Sequence, residues 1–258
     1  MPDSGVTAVV DGSVEGLLTA IHMYYHANLR PNNLVDGSKA FQQDILANYL
    51  FVKTDYDLAG KVYAAMENKL RRETLERFAL ATSNSEPDKF YDIFRYILLA
   101  FKDPKTVDAR LQLDFVMNVQ GLARAVGREA HKLNGFVRFR TVVFNDSDQN
   151  ILFAEISPKH YVLPIVCSHF TDRLISEPFV IYDCIRHMAG IYDTKELSIA
   201  ELPKDVKPAP KETDDERAWQ ELWRTFYNAL AIKERTNTKL RRNLSPKYYW
   251  KHMTEHLL

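Results

Sequence analysis

Several features that mark common enzyme and membrane classes are missing from this sequence of 258 residues. No apolar run approaches the ~20 residues needed to span a membrane, and the first residues lack the basic and apolar segments of a secretion signal. The glycines at positions 12 and 16 form neither a P-loop nor a dinucleotide fingerprint. We therefore expect a cytoplasmic protein that uses no nucleotide or other cofactor.

Cysteine is also scarce, since Cys167 and Cys184 are the only two. Neither belongs to a CxxC pair or has histidine at zinc-finger spacing, so we expect two reduced, buried thiols. His22 and His26 stand four residues apart, a spacing that can chelate a metal on a helix. No acidic ligand accompanies them at a fixed spacing, and the apolar and aromatic neighbours of His22 favour a place at the core edge. The sequence predicts no metal site.

Net charge is zero, with 34 basic and 34 acidic residues. The molecule as a whole should therefore not be drawn to nucleic acid, and any such binding must come from local asymmetry. That asymmetry exists, because residues 232–251 are strongly basic and residues 211–221 are rich in acid.

Hydrophobic periodicity predicts an α+β fold. Residues 1–134 should form a helix-rich region with short strands, and residues 135–200 an antiparallel β region with one helix. Prolines make residues 201–215 the best linker, and residues 216–258 should form C-terminal helices. We expect one compact domain overall, with a soft boundary near Asn134.

Two expectations concern the second half of the chain. Strands at Phe136–Phe144 and Ile151–Ile156 should pair as a hairpin. The helix expected at Glu216–Glu234 carries an apolar stripe, which we interpret as core and not as a ligand platform. The stripe consists of Trp219, Leu222, Trp223, Phe226 and Leu230.

A basic helix face precedes a basic strand between residues 121 and 140. Arg124, Arg128 and His131 fall within about 60° of one another on one side of a helix. The face opposite is apolar. A phosphate-binding surface is one interpretation, because guanidinium groups match phosphate oxygens. The alternative is a solvated face on which Glu129 and nearby acids form salt bridges.

The pair Asn134-Gly135 should end this helix, because both residues tolerate the left-handed conformation. After it, apolar and basic residues alternate, which predicts a half-buried strand carrying Arg138 and Arg140. If the strand packs beside the helix, these two arginines would extend the cationic face.

Cations and aromatic residues also alternate in the C-terminal run 239–252. Proteins that bind single-stranded nucleic acid stack bases on rings while cations follow the backbone. The candidate contacts are Arg241, Arg242, Lys247 and Lys251. Alternatively the aromatic residues pack this tail onto the body, which we favour for Trp250 and at least one of the tyrosines at 248 and 249.

A catalytic alternative rests on three residues. His169 and Asp172 stand at i and i+3, and a histidine oriented by aspartate can act as a general base. Asp183 on a following strand is a further acid/base candidate. The alternatives are an ion pair between Asp172 and Arg173 that fixes the helix, and polar residues on the outer face of a sheet for Asp183.

Several separated motifs occur in an order that resembles one bacterial family. They are VVDGSVEGLL at 9–18, TD at 54–55, GREAHKLNGFVRFR at 127–140, VLP at 162–164, HFTDR at 169–173, IYD at 181–183 and PKYYWKH at 246–252. The family is a domain of unknown function assigned to DNA metabolism or DNA repair and found beside a radical-SAM partner. In some bacteria it is fused to a uracil-DNA glycosylase-like domain. The resemblance implies DNA handling but supplies no catalytic residues.

The leading hypothesis is a DNA-binding protein that acts in bacterial DNA repair or modification with a radical-SAM partner. Whether the DNA is single- or double-stranded stays open, as does whether the protein is an enzyme. One alternative is an enzyme that acts on DNA or a nucleobase through His169, Asp172 and Asp183. Another is a protein-only adaptor whose basic surface meets an acidic partner.

Overall fold

A computed structural model describes residues 5–39, 48–143, 150–203, 211–230 and 245–253. The predicted α+β class is confirmed. The chain forms two compact units, unit 1 at Met1–Gly127 and unit 2 at Arg128–Leu258. Across the described ranges, no helix is both long enough and apolar enough to cross a membrane.

Unit 1 contains a parallel sheet of three strands in the order β2-β1-β3. Its strands are β1 (Val6–Val10), β2 (Pro31–Asp36) and β3 (Asn48–Phe51). Because the strands are parallel, the residues that follow them meet at one edge of the sheet. There the Thr54 hydroxyl donates to the Asp11 carboxylate at 2.7 Å and so ties the end of β1 to the segment after β3.

Four helices of unit 1 surround an apolar core. They are α1 (Val14–His26), α2 (Tyr56–Lys69), α3 (Arg72–Thr82) and α4 (Lys89–Lys102), with a 3-10 turn at Val107–Ala109. Side-chain caps begin two of these helices. The Ser13 side chain accepts from the N–H of Gly16 at 2.9 Å, and the Asp55 side chain accepts from the N–H of Leu58 at 3.0 Å.

Helix α5 (Asp114–Phe136) continues past the point where we expected it to end. Its buried residues recur every three or four positions, as a helix that packs along one face requires. The residues in this pattern are Val116, Val119, Ala123, Val126, Ala130 and Leu133, and Phe115 and Glu129 beside them are also buried. Asn134-Gly135 does not break the helix, because buried Leu133 anchors the last turn and its carbonyl accepts from Val137 N at 2.9 Å.

Unit 2 contains a mixed sheet in the order β8-β7-β6-β5-β4-β9. Its strands are β4 (Arg140–Val143), β5 (Ile151–Ile156), β6 (Phe179–Asp183), β7 (Met188–Tyr192), β8 (Leu197–Glu201) and β9 (Lys211–Glu212). The antiparallel expectation fails at one pair. Strands β5 and β6 are parallel because helix α6 (Leu163–Arg173) crosses between them.

The predicted hairpin is confirmed as the antiparallel pair β4–β5, but its first strand is shorter than expected. Residues 136–139 do not belong to the strand, because helix α5 extends to Phe136 and the ladder begins only at Arg140. The segment expected to be a linker also contributes to the sheet. Its strand β9 pairs with β4, and Glu212 lies opposite Val142. Residues 144–149, which join the two strands, lie outside the described residues.

The three described residues of the apolar stripe on helix α7 (Asp214–Leu230) are not core, so the expectation was wrong for them. Trp219 is 66% exposed, Leu222 57% and Trp223 42%. A polar residue of α7 meets the sheet instead, since the Glu216 carboxylate accepts from the backbone N–H of Thr141 at 2.8 Å. The side chains of Phe226 and Leu230 lie outside the described set.

A buried carboxylate joins three segments of unit 2. Glu129 of α5 is 6% exposed, and it accepts from the backbone N–H groups of Lys159 at 2.9 Å and His160 at 2.7 Å. Its third donor is the hydroxyl of buried Tyr249, at 2.9 Å, in the short helix α8 (Lys247–Trp250). The alternative in which Glu129 forms surface salt bridges is therefore wrong.

We predict that Glu129→Ala lowers the free energy of unfolding of unit 2 by about 2–4 kcal/mol, because three buried donors lose their acceptor. Tyr249→Phe should cost about 1 kcal/mol, since it removes one hydrogen bond. Urea unfolding followed by tryptophan fluorescence reports on unit 2, which holds all three tryptophans. Exposed Glu67 provides the control, because Glu67→Ala should change the midpoint little. A Glu129→Ala midpoint equal to that of the control would contradict the assignment.

Candidate functional site

Unit 2 holds a small polar cavity of about 140 Å³. It lies where β4, β5, β9, α7 and the end of the described chain meet. Its lining brings together arginines 138 and 140, glutamates 155 and 212, Phe139, Gln220, Lys251 and His252. The two arginines and Lys251 belong to separate stretches of the sequence, and the fold places them around one cavity.

Arg140 lies between two carboxylates on neighbouring strands. It reaches Glu155 on β5 at 2.8 Å and Glu212 on β9 at 3.0 Å. Its guanidinium also lies 5.2 Å from the centre of the Phe153 ring. The expected extension of a free cationic face to Arg140 was therefore wrong, because the strand that we took for a linker carries an acidic partner to it.

Arg138 precedes β4 and turns back toward the end of α5. Its guanidinium donates to the carbonyl of Gly135 at 2.9 Å. The carbonyls in the last turn of a helix lack intrahelical donors, so this contact helps to satisfy them. Arg138 thus caps α5 while it lines the cavity.

His252 forms a second polar contact of the cavity with buried Ser157. The Ser157 Oγ and His252 Nε2 atoms are 2.9 Å apart. Burial lowers the pKa of His252 to about 4, and the positive charges of Lys251 and Arg140 act in the same direction. The imidazole is therefore neutral at pH 7. In this form one ring nitrogen donates a hydrogen bond and the other accepts one.

A wider groove of about 720 Å³ adjoins this cavity. The two share Arg138, Phe139 and Gln220 in their linings. The rest of the groove is formed by one face of α7, with the exposed indoles of Trp219 and Trp223 four residues apart. Amphipathic spacing alone does not distinguish this groove from a stripe that faces the core.

The cations of α5 lie on the surface, as expected. Arg124, Arg128 and His131 are all exposed. Arg124 also donates to the carbonyl of Gln120 at 3.2 Å. Whether these residues contact phosphates stays a prediction.

The C-terminal candidates divide into two groups. Lys247 and Lys251 are exposed, whereas Arg241 and Arg242 lie outside the described residues. The aromatic residues pack as predicted, because Tyr249 is buried and the indole N–H of Trp250 donates to the carbonyl of Ser245 at 2.9 Å.

The catalytic candidates do not form a site with one another. Within the described ranges, His169 and Asp172 share no hydrogen bond, and exposed Asp172 forms no ion pair with Arg173. Asp183 is completely buried, pairs with Arg186 at 3.1 Å and accepts from the backbone N–H of Ile185. It therefore closes the turn between β6 and β7, and the expectation that it lies on the outer face of the sheet was wrong.

The thiols and histidines take ordinary positions. Cys167 is buried, which raises its thiol pKa to about 12, whereas Cys184 is only half-buried and not fully buried as expected. The rings of His22 and His26 stack with their centres 4.3 Å apart. In the part of the chain that the structure describes, no group of three or more metal-binding side chains gathers.

The DGS motif at 11–13 has a structural explanation. Gly12 has a φ of 81°, and a β-carbon there would stand 2.4 Å from a carboxylate oxygen of Asp36. Only glycine fits this approach without a shift in Asp36 or the backbone. The motif therefore shapes the edge of the parallel sheet.

Comparison with protein families matches residues 87–255, which is 169 of the 258 residues, to the domain of unknown function DUF4130. The chain belongs to the DUF4130 family. No curated protein matches it. The part of the chain that matches DUF4130 includes every residue that lines the cavity and the groove of unit 2.

We predict that His252 titrates near pH 4, well below the ordinary value of 6.5. The unfolded chain binds this proton below about pH 6.5 and the folded chain only near pH 4, so unit 2 should lose stability as pH falls through that interval. NMR titration measures the pKa, and His252→Gln identifies the resonance. A His252 pKa near 6.5 would mean that the imidazole is not held in this contact.

Proposed function

We propose that unit 2 binds single-stranded DNA, with one base against the indoles of Trp219 and Trp223 and its edge directed into the adjoining cavity. The observation that carries the proposal is the pair of exposed indoles beside a cavity with several hydrogen-bonding groups. Aromatic side chains stack on any base, and each such contact contributes about 1–3 kcal/mol.

The charges around the two cavities favour recognition of the base over recognition of the phosphate. Three cations line them, and three glutamates balance those cations. The cations are Arg138, Arg140 and Lys251, and the glutamates are Glu155, Glu212 and Glu216. His252 adds no charge at pH 7 because its pKa is about 4. A neutral lining with many donors and acceptors suits a neutral, planar and polar group.

Phosphate contacts fall to exposed cations outside the cavity. Lys247, Arg128 and His131 are exposed in unit 2, and Lys251 lies at the rim itself. Arg124, Arg241 and Arg242 remain proposed contacts of the same kind. If all seven residues contact phosphates, affinity should fall as salt rises, with a slope of up to about five counterions for a single strand.

The resemblance to a DNA metabolism family supports a finer proposal. We propose that the protein acts in the bacterial cytoplasm in DNA repair or modification, where it holds a strand for a radical-SAM partner. Co-purification tests this part. A radical-SAM protein that stays bound only while DNA is present agrees with it, and a partner retained after nuclease treatment by a chain that binds no oligonucleotide would favour the adaptor.

We predict that Trp219→Ala with Trp223→Ala weakens binding of a fluorescein-labelled oligothymidine at least about tenfold, because two stacking surfaces are lost. Anisotropy measures the affinity, and quenching of tryptophan fluorescence by the bases reports the stacking. Lys251→Glu should weaken binding less and flatten the salt dependence.

The control is Tyr56→Ala, which removes an aromatic ring that is 76% exposed and lies in unit 1. It should bind as the unaltered chain does. Equal affinity of the double tryptophan variant and this control would overturn the stacking site. Equal affinity of the unaltered chain for duplex and single-stranded DNA would overturn the assignment of strand state.

A further inference from the structure

Unit 1 contains a cavity of about 790 Å³ between helices α1, α2 and α4. Its apolar part includes buried Ile21 and Val62. Tyr25, which is 50% exposed, meets Phe101 edge to face with 5.9 Å between ring centres. This volume lies within the range of about 300–1,000 Å³ that is typical of small-molecule sites.

Basic side chains from all three helices surround this apolar part. They are His22 and His26 from α1, Lys61 and Lys69 from α2, and Lys102 from α4. No acidic residue lines the cavity among those that the structure describes. Among the described residues, no carboxylate forms an ion pair with any of the three lysines, which contrasts with the balanced charges of unit 2.

Helix ends account for only part of this charge. His26, Lys69 and Lys102 stand in the last turns of their helices, where cations offset the partial negative charge of the carbonyls. Lys61 lies in the first half of α2, so that explanation does not apply to it.

The protonation of His22 reflects the same positive surroundings. Burial lowers the pKa of His22, and the charges of His26 and Lys61 lower it further, against an opposing effect of Asp55. Proton uptake is thus disfavoured at this position, and a bound anion would relieve that effect.

We propose that this cavity binds a small anionic ligand with a planar aromatic ring, of the chemical class of nucleoside monophosphates. The ring lies against Tyr25 and the apolar part, and the phosphate faces Lys61, Lys69 and Lys102. Ammonium groups bind phosphate through charge-assisted hydrogen bonds, which are about twice as strong as neutral ones. The site is independent of the proposed DNA site, because it uses residues of unit 1 only.

The test is calorimetric titration of the full chain with deoxyadenosine monophosphate as the probe. Inorganic phosphate and deoxyadenosine serve as separate arms, and each should bind at least about tenfold more weakly than the nucleotide, because each keeps one half of the contacts. The pKa of His22, followed by NMR, should rise when the nucleotide binds.

Lys61→Glu with Lys69→Glu should weaken nucleotide binding at least about tenfold. The matched control is Lys53→Glu with Lys105→Glu, which makes the same charge change at exposed lysines outside the cavity and should leave binding unchanged. If the first pair unfolds, as circular dichroism would reveal, Lys61→Gln with Lys69→Gln replaces it.

Three results would overturn the proposal. The first is that the nucleotide does not bind at millimolar concentration. The second is that the Lys61/Lys69 variant binds it as tightly as the Lys53/Lys105 variant does. The third is that the pKa of His22 is unchanged in the bound state. Trp219→Ala with Trp223→Ala should leave this binding intact, so failure of the DNA site and failure of the nucleotide site remain distinguishable.

Discussion

The carboxylate of Glu129 holds the polar cavity of unit 2 together. Its burial would be costly if unpaired, and two backbone N–H groups and a phenol compensate for it. Burial raises the pKa of Tyr249, as do its contacts with Tyr248 and Glu129, so the phenol stays protonated and remains a donor. Because Lys251 and His252 stand two and three residues after Tyr249, this bond helps to fix where both reach the cavity. The same carboxylate fixes the backbone at Lys159, two residues after Ser157, which is the partner of His252.

The ion pairs of Arg140 are a second constraint on the shape of this cavity. Arg140 pairs with Glu155 and with Glu212, and the second pair holds strand β9 to the sheet. Strand β9 has only two residues, so its backbone hydrogen bonds alone would hold it weakly. These pairs also remove most of its attraction for phosphate, because an incoming anion must compete with two carboxylates already in place. Arg140, which the sequence suggested as a DNA contact, therefore shapes the cavity. The proposed DNA site relies instead on the exposed indoles of α7.

Local features of the fold were predictable, and distant pairings were not. Ser13 and Asp55 cap their helices through contacts three residues away, so the sequence around each contains the whole signal. The bond from Glu129 to Tyr249 spans 120 residues, and no local pattern specifies it. The strand at Pro31–Asp36 lacks the alternation that indicates a strand, and its parallel partner supplies the hydrogen bonds. The stripe at Trp219 shows a further limit, since amphipathic spacing identifies an apolar face but not what covers it.

A net charge of zero hides two different electrostatic environments. In unit 2, carboxylates on neighbouring strands offset the charge of Arg140, so the proposed DNA site would rely on hydrogen bonding and stacking. In unit 1, three lysines from two helices share a cavity without an acidic residue, so their charge is available to a ligand. An attraction to anions that is absent from the whole molecule can therefore exist in one cavity, because screening confines the field of exposed charges to about 8–10 Å at physiological ionic strength. The two proposed sites should therefore select their ligands differently, unit 2 by stacking and hydrogen bonding and unit 1 by charge as well.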